Sequence, residues 1–74
     1  MWVRSQDKKT LAKYIKFSIS GNKKVHIHGK REYDGFFENT LDVLGQYNSL
    51  EEAQNELDNI QKHIADNKKI YEIK

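Results

Sequence analysis

Residues 49–64, SLEEAQNELDNIQKHI, decide the fold, because they contain both the start signal and the apolar stripe of one amphipathic helix. Ser49 followed by Glu52 is a capping box, in which the hydroxyl accepts from a first-turn N–H and the carboxylate reaches back. Apolar residues then recur at steps of three and four, the spacing of one helix face. The predicted stripe is Leu50, Ala53, Leu57, Ile60 and Ile64.

The end of the predicted helix is marked by Asn67, a residue type that suits the left-handed backbone of a helix stop. Lys62, Lys68 and Lys69 lie near this end, where positive charge complements the helix dipole. We expect the acidic residues of the helix to lie on its solvated side. They are Glu51, Glu52 and Glu56.

The residues before the helix alternate between apolar and polar types and predict a β-hairpin around Ser20-Gly21-Asn22-Lys23. Opposed residues of an antiparallel pair share a face, so the two apolar sets must oppose each other. A three-residue loop, residues 21–23, opposes Ile19 to Val25. It also opposes Phe17 to Ile27, and a five-residue loop keeps the same side chains on the same face. We therefore expect an odd loop and one apolar face under the helix: Leu11, Ile15, Phe17, Ile19, Val25 and Ile27.

Further strands complete the predicted sheet, at residues 2–5, 41–47 and 70–73. Gly45 is a candidate β-bulge within the fourth strand. Residues 32–39 predict a loop around Asp34-Gly35, although Phe36 and Phe37 would also suit a longer strand. The predicted fold class is α+β: a single antiparallel sheet with one amphipathic helix packed on one face, in the order β-β-β-β-α-β.

Length and composition favour one small domain in a reducing compartment. Seventy-four residues make a single α+β domain, residues 1–74, with one thin core. The absence of cysteine excludes disulfides, thiolate zinc sites and a cysteine nucleophile. No apolar run reaches the length of a membrane span, and the first residues lack the apolar core of a signal peptide. We therefore expect a cytoplasmic protein with no membrane partner.

Several short stretches carry a resemblance. They are Trp2-Val3-Arg4-Ser5-Gln6-Asp7-Lys8, Phe17-Ser18-Ile19 before Gly21-Asn22, and Leu44-Gly45-Gln46-Tyr47 leading into Ser49-Leu50-Glu51-Glu52-Ala53. The chain resembles a group of short proteins of Gram-positive bacteria and their phages that open with a W-[IV]-R-S-Q-D-K-like stretch. The group has no established activity, so the resemblance implies a biological setting and assigns no functional residues.

Charge is distributed unevenly along the chain. Residues 1–31 contain nine Lys and Arg against Asp7 alone, whereas residues 32–60 contain eight Asp and Glu and no Lys or Arg. One interpretation is a basic surface for an anionic partner. The other is that a basic sheet and an acidic helix surface attract each other within the fold, and charge runs more often describe solvated faces of this kind.

The sequence offers weak signals for a metal and none for catalysis. His26 and His28 share a strand face, but two ligands do not complete a zinc site, and His63 is expected on the helix in the opposite layer. The carboxylates form no recognisable catalytic constellation, and no phosphate loop, dinucleotide fingerprint or nucleophile elbow occurs. We therefore expect no enzyme, no metal and no cofactor.

The strand alternation also predicts a basic sheet face turned away from the helix. Lysines with an aromatic residue on one face can bind phosphates and stack an exposed base. The alternative is an exposed antiparallel face kept soluble by lysine. The candidate face for an anionic partner, with single-stranded nucleic acid as its simplest form, consists of Tyr14, Lys16, Lys24, His26, His28 and Lys30.

A protein partner is the favoured hypothesis. A thin core, an edge strand and surplus aromatic residues indicate apolar surface that one chain does not cover. The aromatic residues concerned are Trp2, Tyr33, Phe36, Phe37, Tyr47 and Tyr71. The sequence therefore predicts a non-enzymatic interaction or assembly module that binds another protein or itself, as a homodimer. The alternative is a nucleic-acid-binding accessory protein that uses the basic sheet face.

Overall fold

The computed structural model describes residues 1–31 and 41–74. The described elements are β1 Trp2–Arg4, β2 Leu11–Ser20, β3 Val25–Arg31, β4 Leu41–Tyr47, α1 Leu50–Ala65 and β5 Ile70–Glu72. The strands form one sheet in the order β4-β3-β2-β1-β5, and α1 packs on it. The predicted α+β class and the order β-β-β-β-α-β are confirmed. The predicted loop at 32–39, with Asp34-Gly35, Phe36 and Phe37, lies outside the described residues.

The sheet is mixed, which differs from the expected antiparallel arrangement. β1, β2, β3 and β4 pair antiparallel in chain order, but β5 pairs parallel to β1, with Val3 opposite Tyr71. The cause is the helix, which carries the chain from the β4 edge to the β1 edge. After this crossover the chain enters β5 beside the start of β1, and the two strands run in the same direction.

The helix begins and ends where the local signals predict. The Ser49 hydroxyl accepts from the Glu52 N–H at 3.2 Å, and the Glu52 carboxylate accepts from the Asn48 N–H at 3.1 Å. The capping box is therefore present, with its carboxylate bound one residue before the N-cap. Asn67 has φ 56° and its N–H donates to the Ile64 carbonyl at 3.1 Å, which confirms the left-handed stop.

The buried face of the helix differs from the predicted stripe. Leu50 and Ile64 are exposed, and the fully buried helix residues are Ala53, Glu56 and Ile60. The buried line follows steps of three and four from Ala53, and Leu57 lies half-buried beside it. The helix is thus rotated about its axis relative to the expectation, because a charged residue takes a buried position on the sheet side.

Glu56 is buried, although the sequence predicted it on the solvated side of the helix. It is only 4 % exposed. One carboxylate oxygen accepts from the Tyr71 hydroxyl at 2.9 Å and from the Lys74 N–H at 2.7 Å, and the other accepts from the Asn59 side-chain amide at 3.2 Å. A buried carboxylate is tolerated when its oxygens are hydrogen-bonded in this way. Glu56 therefore ties α1 to β5 and the residues that follow it.

A β-bulge in β2 changes which alternate residues of the strand face the helix. Tyr14 pairs with Arg31 and Lys16 pairs with Lys30, so Ile15 is an extra residue without an opposed partner. Residues 12 and 14 consequently share the helix side with residues 17 and 19. Leu11 and Ile15, which were expected under the helix, are exposed, and Tyr14 is buried at 7 % exposure.

In the β2–β3 hairpin the predicted apolar residues after the bulge do face the helix, but the residues opposite them on the paired strand are not the predicted ones. Ile19 lies opposite Ile27, and Phe17 lies opposite Gly29, two residues beyond the expected positions. Val25 and Ile27 are buried as predicted, and Phe17 and Ile19 pack half-buried against the core. Ser20 pairs with His26, so the connection has five residues and the predicted odd loop is confirmed. Gly21 within it, at φ 117°, lies against the Lys24 carbonyl, where a Cβ would collide.

The shifted register places Gly29 where the core needs space. A Cβ on Gly29 would lie 2.6 Å from the Tyr14 ring and 2.7 Å from a Leu44 methyl group. The Tyr14 ring therefore packs across β3 directly over this glycine. A larger residue there would displace the aromatic ring from the core.

Gln6, in the β1–β2 connection, binds the edge of β4 that does not face β3. Its backbone N–H donates to the Leu44 carbonyl at 2.7 Å, and its side-chain carbonyl accepts from the Gln46 N–H at 2.9 Å. Its side-chain amide donates to the Gln46 carbonyl at 3.4 Å and the Lys74 carbonyl at 3.1 Å. These bonds occupy backbone groups that an edge strand otherwise offers to another chain.

The β1–β2 connection that carries Gln6 is fixed by its own side chains. Ser5 is buried, donates to the Asp7 carboxylate at 2.5 Å and accepts from the Thr10 N–H at 3.1 Å. The same carboxylate accepts from the Lys9 N–H at 3.0 Å. The Ser5 hydrogen bond, with that from Lys9, holds the pKa of Asp7 below its usual value.

Loss of the helix cap should lower stability. Ser49→Ala removes the acceptor for the Glu52 N–H and should reduce the free energy of unfolding by about 0.5–2 kcal/mol. Urea unfolding monitored by circular dichroism measures this difference. The matched control is Ser20→Ala, at the exposed end of β2, which should change stability by less than about 0.5 kcal/mol. Equal stability of both variants would contradict the assigned cap.

Removal of the buried carboxylate should be costly. Glu56→Ala leaves the Tyr71 hydroxyl without its acceptor inside the core, so the free energy of unfolding should fall by about 1–3 kcal/mol. The control Glu51→Ala changes an exposed carboxylate of the first helical turn and should cost less than about 1 kcal/mol. If the Glu56 variant were the milder of the two in denaturant unfolding, the anchoring role of Glu56 would be wrong.

Alkaline pH should destabilise the fold through Tyr47. Burial, together with the charge of Glu56, raises the pKa of Tyr47 to about 12, above the ordinary value of about 10. Between these values the unfolded chain loses a proton that the folded chain keeps, so the free energy of unfolding falls as pH rises. Denaturant unfolding across this range should show the decrease, and Tyr47→Phe should make it less steep. An unchanged pH slope in the variant would refute the assignment.

Candidate binding face on the outer side of the sheet

The side of the sheet opposite the helix forms the candidate site, and its positions follow from strand pairing. Lys16 opposes Lys30, Ser18 opposes His28 and Ser20 opposes His26. On the far side of β3, residues 26, 28 and 30 in turn oppose residues 46, 43 and 41. We define the outer face as Lys16, Ser18, Ser20, His26, His28, Lys30, Leu41, Val43 and Gln46.

Most of the residues predicted for an anionic partner lie together there. The outer face contains Lys16, His26, His28 and Lys30, side by side on two paired strands. Lys24 lies just before β3, in the exposed connection that leads into this face. The four strand positions among these thus lie on the side of the sheet that strand alternation predicts, since the bulge precedes them.

Tyr14 does not belong to this face, which corrects the prediction. Its hydroxyl donates to the Asp42 carboxylate at 2.8 Å, and the Arg31 guanidinium binds the same carboxylate at 2.7 Å. Burial, followed by the bond to Asp42, raises the pKa of Tyr14. Partial burial also acts to raise the pKa of Asp42, but the hydrogen bonds from Arg31 and Tyr14 outweigh it and hold that pKa below its usual value. This cluster stabilises the junction of β2, β3 and β4.

The centre of the outer face is basic. Lys16 and Lys30 lie directly opposite each other, and like charges in that position destabilise a strand pair. Within residues 1–31 and 41–74 neither lysine forms an ion pair, since the pairs there are Lys8 with Glu72 and Arg31 with Asp42. Neither of those pairs joins the helix to the sheet. An anion bound over the two lysines would relieve their repulsion.

The two histidines add polar groups next to the lysines. The rings of His26 and His28 are 6.0 Å apart and tilted by 49°. The Nδ1 atom of His28 is buried and has no hydrogen-bond partner among the residues that the structure describes. His63 lies in the other layer, edge-on to the Tyr71 ring at 4.4 Å. In the described part of the chain, no three His, Asp or Glu side chains converge in a manner suited to a metal ion.

Two aliphatic residues of β4 complete the outer face, and sequence analysis missed them. Leu41 is 50 % exposed and Val43 is 56 % exposed. A bulge in β4 places Val43 opposite His28 and Gly45 opposite Ile27, so Leu44 is the extra residue and turns into the core. Gly45 marked this irregularity in the sequence, but its position alone did not show which β4 residues would face outwards.

Comparison of this chain with known protein families, with curated proteins and with solved structures finds no match. In the described part of the chain, the helix lacks the length and apolar character that crossing a membrane requires. The geometry of the outer face is therefore the basis for a functional proposal.

Proposed function

We propose that this protein is a non-enzymatic protein-interaction module whose outer face binds an acidic surface of another protein. The observation that carries the proposal is the composition of that face. Two opposed lysines, Lys16 and Lys30, lie beside two exposed aliphatic residues, Leu41 and Val43. Apolar area with matched charge is the usual make-up of a specific protein interface.

The same composition favours a protein partner over single-stranded nucleic acid. Binding of a single strand generally combines basic groups with aromatic side chains on which bases stack. Tyr14, the aromatic residue expected to do this, is buried on the other side of the sheet. The exposed apolar residues of the outer face are aliphatic, and such side chains contribute area to protein contacts without stacking bases.

The face is favoured over the β4 edge of the sheet as the place of contact. Addition of a strand to β4 requires free N–H and carbonyl groups along its edge. Gln6 already binds the Leu44 carbonyl and both backbone groups of Gln46. A partner therefore gains more from the side chains of the outer face than from the backbone of β4.

Charge reversal on the outer face should abolish partner binding. The test compares immobilised wild type with the double variant Lys16→Glu, Lys30→Glu in a lysate of the source organism, with and without nuclease treatment, followed by quantitative mass spectrometry. The variant should lose acidic proteins that the wild type captures reproducibly. The control Lys9→Glu, Lys62→Glu makes the same charge change at exposed positions away from the outer face and should retain them.

Three results would contradict the proposal. The first is equal capture by the wild type and the outer-face variant. The second is loss of capture on nuclease treatment, which would indicate nucleic acid as the partner. The third is self-association that accounts for all binding to the outer face. Sedimentation would show it as a mass that rises with protein concentration. Circular dichroism of both variants confirms that they remain folded.

A further inference from the structure

An open pocket of about 410 Å³ lies where β1, β2 and the C-terminal end of α1 meet. This volume falls in the range of small-molecule sites, roughly 300–1,000 Å³. Its lining combines apolar and basic side chains: Trp2, Ile64, Lys13, Lys68 and Lys69. None of these belongs to the outer face of β2, β3 and β4, so the pocket is a separate feature.

The apolar part of the pocket consists of side chains that the core leaves uncovered. Trp2 is 41 % exposed and Ile64 is 51 % exposed. The Lys13 ammonium lies 5.5 Å from the centre of the indole ring, within the range of a cation–π contact. The ring thus carries a positive group beside one face and keeps substantial area open to a ligand.

The basic part of the pocket is built by the helix stop. The Trp2 N–H donates to the Lys69 carbonyl at 2.9 Å, and the Lys68 N–H donates to the His63 carbonyl at 3.1 Å. These bonds fix the backbone of residues 68 and 69 between the helix end and the start of β1. No carboxylate belongs to the described lining, so the lysines impart a positive potential.

We propose that this pocket binds a nucleoside phosphate, with the base stacked on Trp2 and the phosphate bound by Lys68, Lys69 and Lys13. Lysine ammonium groups bind phosphate as point charges. An indole ring offers a flat apolar surface suited to a base and poorly matched to a bare anion. A free nucleotide and one nucleotide of a single strand share this chemistry.

The single tryptophan of the chain makes the proposal directly measurable. Titration of the full chain with adenosine monophosphate should quench or shift Trp2 fluorescence to saturation, and a base stacked on the ring causes this change. Adenosine without phosphate, and inorganic phosphate without a base, should each require at least about tenfold higher concentration, since each offers half of the recognised chemistry.

Variants separate this pocket from the outer face. Lys68→Glu with Lys69→Glu should weaken adenosine monophosphate binding at least about tenfold. Lys16→Glu with Lys30→Glu should leave it unchanged, so a failure of one proposal does not imply failure of the other. Nuclear magnetic resonance shifts of the indole N–H provide a second readout, and circular dichroism confirms that each variant is folded.

A short single-stranded oligonucleotide, used as a fourth probe, identifies the source of the ligand. Binding of the oligonucleotide far tighter than the mononucleotide supports a nucleic-acid strand, and equal or weaker binding supports a free nucleotide. Absence of any Trp2 response up to millimolar nucleotide would overturn the proposal. Equal responses to inorganic phosphate and to adenosine monophosphate would overturn it as well, because the base would then contribute nothing.

Discussion

The bulge at Ile15 is the constraint on which the rest of the structure depends. β2 pairs with β1 through residues 11–13 and with β3 through most of the remainder, and the extra residue lies where these two pairings meet. Without it, Tyr14 would project away from the helix and the core would lose its largest β2 side chain. With it, the Tyr14 ring packs over Gly29 while Lys16 and the residues after it keep their outward positions. One inserted residue therefore determines which side chains form the core and which form the outer face.

Features encoded by neighbouring residues could be predicted from the sequence, and features set by distant contacts could not. The cap at Ser49 and the stop at Asn67 depend on bonds within one helical turn, and both are present. The alternation of apolar and polar residues does not reveal the bulge at Ile15, because an isoleucine fits the apolar pattern whichever side of the strand it lies on. The sequence does not reveal the burial of Glu56 either, since the groups that donate to its carboxylate belong to Tyr71 and Lys74, which lie beyond the helix.

The polar opening stretch, residues 4–8, has a structural role in this chain. Ser5 and Asp7 bind each other and the backbone of the turn, and Gln6 between them binds the edge of β4. Arg4 donates through its guanidinium to the Lys8 carbonyl at 3.2 Å. The polar residues of this stretch therefore act by shaping the β1–β2 connection and binding the edge of β4. The chemistry available to a partner lies elsewhere, on the outer face and in the pocket beside Trp2.

One helix can cover only one side of a single sheet, so the other side is exposed and its residues determine what it can contact. Exposed charges of both signs and single aliphatic residues are ordinary on a solvated sheet face. The outer face instead places Lys16 against Lys30, at a cost in strand pairing, and leaves Val43 beside them half exposed. Repulsion between the lysines and hydration of the aliphatic groups are both relieved by the same event, contact with a surface that is acidic and partly apolar. Both features therefore agree with the proposed binding of an acidic, partly apolar protein surface.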